Sequence, residues 1–154
     1  MDSLEALATL LCRASASLQG LDLSCTGLGS VGASLLTDGY ALADAGAGVT
    51  GAASPLRSLT ALQEIRLSSC RIDADGFEAL ADAFPVMSSL KRVFLDGNAV
   101  RRADAIVSLL GALVELPSLR FVGLYGSVPR HLTSTVEASS GCVALRRGGV
   151  IVHF

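Results

Sequence analysis

The sequence predicts a short right-handed α/β solenoid, a curved sheet of parallel strands with helices on its convex side. Three observations predict it. An eleven-residue pattern of leucines recurs four times, starting at Leu18, Leu62, Leu90 and Leu119. Between copies, apolar residues recur at intervals of three and four, which defines one face of a helix. Parallel strands must then be joined by crossovers, and these are right-handed in nearly all proteins.

The elements follow in order. Leu4 to Arg13 reads as an N-terminal capping helix within residues 1–17, with Asp2 or Ser3 as its cap. The first strand motif runs Leu18-Gln-Gly-Leu21-Asp-Leu23-Ser-Cys-Thr26-Gly-Leu28. The second is Leu62-Gln-Glu-Ile65-Arg-Leu67-Ser-Ser-Cys70-Arg-Ile72, and the third Leu90-Lys-Arg-Val93-Phe-Leu95-Asp-Gly-Asn98-Ala-Val100. Both match L-x-x-L-x-L-x-x-[NC]-x-L at every defined position. A weaker fourth copy, Leu119-Arg-Phe-Val122-Gly-Leu124-Tyr-Gly-Ser127, meets Pro129 where the last apolar residue belongs. Between the motifs, Leu28, Gly32, Leu36 and Tyr40 lie over Ile72, Gly76, Leu80 and Phe84, as the faces of equivalent helices would.

The interval from Leu18 to Leu62 is much longer than that from Leu62 to Leu90, so the first unit carries an insertion of about 16 residues, placed at 41–56. Ala41 to Ser54 is rich in alanine and glycine and has one charge, Asp44. It reads as an excursion whose closure costs little. After four repeats over 18–128 the pattern fades. Residues 129–154 read as a degenerate C-terminal repeat ending in a strand, Val150-Ile151-Val152-His153-Phe154, behind the breakers Gly148-Gly149. One repeat of the Leu62-to-Leu90 length, counted on from Leu119, places Val150 and Val152 at inward positions four and six. Residues 1–154 thus form a single domain.

These motifs resemble the leucine-rich repeat proteins, in particular the ribonuclease-inhibitor-like subclass with long repeats and true helices. The resemblance covers about Leu18 to Ser127 and implies the solenoid. It implies little about chemistry, because its consensus residues are those that build the core. Leucines at positions one, four and six point inward and stack on their counterparts in the next coil. Position nine sits where the chain leaves the strand and exposes carbonyls that need a donor. Thr26, Cys70, Asn98 and Ser127 each have a proton to give. Their role is structural.

Composition narrows the function classes. The chain has 154 residues, 51% hydrophobic and 17% charged, with a net charge of −2. It is apolar enough to form a core, lacks the low hydrophobicity of disordered chains, and has no general attraction for nucleic acid. The most apolar stretch, Ala103 to Pro117, contains Asp104, Ser108 and Glu115 and falls short of the roughly 18 apolar residues of a membrane span. Two acids near the start, Asp2 and Glu5, argue against a signal peptide. Cys12, Cys25, Cys70 and Cys142 form no C-x-x-C pair and read as free, mostly buried thiols of a reducing compartment. The expected location is cytoplasmic or nuclear, not secreted.

Sharper motifs dissolve on inspection. Gly46-Ala-Gly48-Val-Thr-Gly51 matches G-x-G-x-x-G, but it follows a helical face rather than a strand, and Pro55 interrupts the helix that would bind a pyrophosphate. His131 and His153 are the only imidazoles, and neither lies in an acid–base or H-E-x-x-H context. Asp73, Asp75, Glu78 and Asp82 suit the start and outer face of a helix better than a calcium loop. No catalytic residue, cofactor or metal is expected.

What the repeat leaves open is the concave face, built by positions three, five and seven of each strand. These are Gly20, Asp22 and Ser24; Glu64, Arg66 and Ser68; Arg92, Phe94 and Asp96; and Phe121, Gly123 and Tyr125. Three of the seven aromatic residues gather there beside arginine, and Arg and Tyr are common interface anchors. Arg66, Arg92, Phe94, Asp96, Phe121 and Tyr125 are therefore the candidate protein-binding residues. The competing reading folds the C-terminal segment over them. The expected function is a non-catalytic scaffold binding a partner protein. Its rivals are a GTPase-activating or regulatory role, implied only by likeness to Ran GTPase-activating proteins of this repeat subclass, and a fragment of a larger receptor-type array. The terminal strand has neither proline nor charge to blunt its outer edge, which makes self-association through it a further expectation.

Overall fold

The computed structural model describes residues 3–38, 54–98 and 100–154. A parallel five-stranded sheet, ordered β1 to β5 as in the chain, is built from β1 (Gly20–Asp22), β2 (Glu64–Arg66), β3 (Arg92–Phe94), β4 (Phe121–Gly123) and β5 (Ile151–His153). Each strand is short because the chain must turn off the sheet within every coil. Parallel bonding nevertheless runs on past it: the Leu95 N–H donates to the Gly123 carbonyl at 2.9 Å and the Gly97 N–H to the Tyr125 carbonyl at 2.8 Å. The turn that follows needs a left-handed residue at position eight. Gly97 and Gly126 supply it without a Cβ penalty, whereas Cys25 and Ser69 adopt it as non-glycine residues.

The helices are α1 (Ser3–Arg13), α2 (Gly29–Asp38), α3 (Pro55–Ser58), α4 (Ala74–Ala83), α5 (Ala103–Leu113), α6 (Arg130–Glu137) and α7 (Ser140–Arg147), with a 3₁₀ turn at Phe84–Val86. They stack on their neighbours in the order of the coils, α2 on α4, α4 on α5, and α5 on α6 and α7. The core lies between helices and sheet. Ile65, Leu67, Val93, Leu95, Val122 and Leu124 are fully buried there against Phe77, Leu80, Ile106 and Leu109. Leu21 and Leu23 occupy the same positions in the first coil but are only half-buried. They have a neighbouring coil on one side alone.

The position-nine ladder is formed as the motif predicts. Asn98 donates from Nδ2 to the carbonyls of Leu67 at 2.9 Å and Leu95 at 2.8 Å. Its Oδ1 accepts from the N–H groups of Cys70 and Ile72, both at 3.1 Å. Thr26 donates to the Leu23 carbonyl at 2.7 Å, which also receives the Cys70 thiol at 2.9 Å, and the Ser127 hydroxyl donates to the Leu95 carbonyl.

Asp73 is the N-cap of α4 and accepts from the N–H groups of Asp75 at 3.1 Å and Gly76 at 3.4 Å. The Ser30 hydroxyl also donates to its carboxylate and is the main reason that this carboxyl titrates below the ordinary value of 3.8. Asp73→Ala should cost about 1 kcal/mol in urea unfolding, while Asp73→Asn keeps the cap. A depressed carboxyl stabilises above the unfolded-state value and loses that contribution as pH falls through the folded-state value. The Asn variant should therefore lack this part of the acid-side loss of stability, which lies below about pH 3.8.

Three expectations need amendment. The expected insertion reached residue 56, but Ser54 accepts from the Arg57 N–H at 3.2 Å and caps α3, where Pro55 is the first helical residue. Proline begins a helix there because its missing N–H is unneeded in a first turn. Leu56 and Leu59 are buried one repeat length before Phe84 and Met87, so the chain has rejoined the repeat by Ser54. The rest of the expected excursion, including the run from Gly46 to Gly51, lies outside the described residues, as does Asp2. Ser3, the other expected cap, is already helical.

The third amendment concerns β5. Val152, not Val150, stands opposite Val122 and so takes position four, later than the repeat count places it. Two helices, α6 and α7, stand where α5 alone joins β3 to β4, and they lengthen the return path. A slip of two positions preserves the pleat, so Val152 still faces the core and is 9% exposed.

Among the described residues no helix is long and apolar enough to cross a membrane. The four cysteines are unpaired, with Cys70 and Cys142 buried, Cys12 half-buried and Cys25 exposed.

Candidate functional site

The concave face is a lattice of three rows set by strand register. One row reads Gly20, Glu64, Arg92, Phe121, Ile151 and the next Asp22, Arg66, Phe94, Gly123, His153. The third, at position seven, holds Ser24, Ser68, Asp96 and Tyr125. Adjacent members of a row are one strand spacing apart, about 4.8 Å, so side chains on neighbouring strands stand within reach of one another.

Charge is concentrated at β2 and β3. Glu64 pairs with Arg66 at 2.6 Å and also with Arg92. The glutamate is 17% exposed, against 46% for Arg66 and 59% for Arg92, so the acid lies beneath both cations. The hydrogen bond from Arg66 is the leading reason that the Glu64 carboxyl titrates below its ordinary value, and the charges of Arg66 and Arg92 add to it. Asp22 titrates low chiefly because it accepts from the Ser24 N–H at 2.9 Å.

The aromatic residues divide into two groups. Phe94 and Phe121 pack against each other with ring centroids 5.0 Å apart and planes inclined at 37°. Arg66 covers Phe94 from the other side, 4.5 Å above its ring, a cation–π contact that register makes possible. Tyr125 stands apart from this pair. It is 64% exposed and stacks on His153 at 5.6 Å with planes inclined at 12°. Gly123 separates the groups, and a Cβ there would meet the Asp96 carboxylate at 2.8 Å. That carboxylate accepts from the Tyr125 N–H at 2.8 Å and from the Ser68 hydroxyl at 3.3 Å.

The structure thus places Arg66, Arg92, Phe94, Asp96, Phe121 and Tyr125 on one face, with differences in partnership. Arg66, not Arg92, stacks on Phe94. Tyr125 pairs with a residue that sequence reasoning left out. Ile151 and His153 belong to the same face, and Ile151 is 64% exposed. The signal for them was available, since inward valines at 150 and 152 put 151 and 153 outward by the alternation of a strand. The C-terminal segment does not fold over the face: α6 and α7 pack on α5, and β5 extends the sheet beside β4. Among the described residues no three His, Cys, Asp or Glu side chains gather as metal ligands.

Two segments of the chain, residues 14–36 and 58–81, match the leucine-rich repeat model. They contain the first and second strand motifs. No curated protein sequence matches the chain. Among solved structures it is similar to the tropomodulin C-terminal domain of Caenorhabditis elegans, with 15% identity, a TM-score of 0.39, and coverage of 96% of this chain and 99% of that one.

Proposed function

Taking the chain as a leucine-rich-repeat solenoid, we propose that it is a non-catalytic scaffold that binds a partner protein on its concave face. One observation carries the reading: among the described residues the aromatic and arginine lattice stays open, while the C-terminal segment continues the coil behind it. Half-buried Phe94 and Phe121 with exposed Arg92 and Tyr125 combine the apolar area and charged donors typical of interface anchors. Long repeats, one from Glu64 to Arg92 and the next from Arg92 to Phe121, with α-helical returns favour the ribonuclease-inhibitor-like form.

The test is a comparison of immobilised variants in native lysate. The partner retained by wild type should be lost from Arg92→Ala/Phe94→Ala and kept by Asp82→Ala, a control on the exposed face of α4. Equal retention by all three would place binding elsewhere. GTP turnover by a small GTPase should be unchanged when the protein is added; acceleration would favour the GTPase-activating alternative.

A further inference from the structure

Resting on the concave-face reading, we propose that the occupant is an acidic segment of the partner protein. It lies across β3 to β5, with a carboxylate at Arg92 and an apolar side chain on Phe121 and Ile151. Across β2 to β4 the face sorts its charges by accessibility. Glu64 is covered by two guanidinium groups, and half-buried Asp96 already accepts from Tyr125 and Ser68. The cations at the same end of the sheet are the outward groups. Arg92 is 59% exposed, and Lys91 and Arg120 are exposed beside it at the starts of β3 and β4. Their adjacency is fixed by the backbone, since the Lys91 carbonyl accepts from the N–H groups of Arg120 at 2.8 Å and Phe121 at 3.1 Å.

Neither Lys91 nor Arg120 makes an ion pair among the described residues. Lys91 donates to the neutral Gln63 amide at 3.0 Å and Arg120 to the Leu119 carbonyl at 2.9 Å. Of these three cations only Arg92 has a carboxylate partner there, Glu64, which Arg66 also claims. This end of the sheet is positive on a chain whose net charge is −2. Beside it, Phe121 bridges Arg92 and exposed Ile151 in one row. Arg92 and Ile151 are two strand spacings apart, about 10 Å, which an extended peptide covers in about three residues.

The same residues suit a nucleic acid less well. Base stacking needs free ring faces. Phe94 lies between Phe121 and Arg66, and one face of Tyr125 is taken by His153. Exposed Asp22 and half-buried Asp96 would meet a phosphate backbone crossing the rows at positions five and seven.

A phage-displayed random-peptide library panned on the immobilised full chain, followed by anisotropy titration of the selected peptides, tests the proposal. Selected peptides should carry Asp or Glu about three positions from an aromatic or aliphatic residue, and should bind more weakly as salt rises. Arg92→Glu and the pair Lys91→Glu/Arg120→Glu should each weaken binding about 10-fold or more, with circular dichroism unchanged. Selection of neutral or basic peptides that are lost on Phe121→Ala would overturn the acidic occupant while leaving the concave face as the docking site. No enrichment, binding that survives all these substitutions, or tighter binding of oligouridine RNA than of the selected peptides would overturn the proposal as well.

Discussion

Asn98→Ala is expected to lower the unfolding free energy by about 3–5 kcal/mol, because one side chain satisfies polar groups in two coils. Asn98 is 2% exposed, and its amide makes four hydrogen bonds to backbone groups. Alanine removes all four. The Leu95 carbonyl retains the Ser127 hydroxyl, but the Leu67 carbonyl and the N–H groups of Cys70 and Ile72 lose the partner that Asn98 provides. Each such loss in a buried site costs about 1–3 kcal/mol, and water entering the vacated space offsets part of it. Urea titration with an unchanged m-value measures the loss. Asn98→Ser should fall between wild type and alanine, because a hydroxyl can donate as in Ser127 but cannot also receive both N–H groups. A loss under about 1 kcal/mol for alanine would mean that water replaces the amide fully.

Leu95→Ala is expected to cost roughly 2–5 kcal/mol, the transfer energy of the lost side chain plus the cavity left behind. Leu95 is fully buried at position six, with occupied coils on both sides. Leu23→Ala supplies the comparison. The same residue type at the same position is half-buried in the first coil, where solvent can fill the space, so it should cost clearly less. Equal losses would contradict a core that thins toward the first coil. A loss below about 1 kcal/mol at Leu95 would contradict its inward placement, since a strand residue moved by one position faces solvent.

Most of the fold was legible because each coil repeats the same local problem. Leu67, Leu95 and Leu124 alternate with outward residues at the period of a pleated strand, and this parity is a property of the chain itself. Position nine was legible for the same reason. A carbonyl freed at the end of a strand needs a donor wherever the strand lies, and Thr26, Cys70, Asn98 and Ser127 all provide one. The candidate face was legible only as a list of outward positions. Its members Arg66 and Phe94 belong to successive coils, far apart along the chain, and become neighbours through register alone. The pairing of Tyr125 with His153 was missed because the list of outward positions stopped at the fourth motif, one strand short of the end of the sheet.

The sequence by itself determined the repeat, the inward leucines, the donor ladder and the parity of every strand, including the terminal one. Only the tertiary structure decided which outward residues meet. It set Val152 opposite Val122, placed Arg66 rather than Arg92 over Phe94, and left the face open by sending α6 and α7 onto α5. The physical reason is a difference of range. Side-chain parity follows from a two-residue pleat, but lateral register depends on the length of the whole return path behind the sheet. That path holds one helix in one coil and two in the next, and residues near in sequence do not report its length.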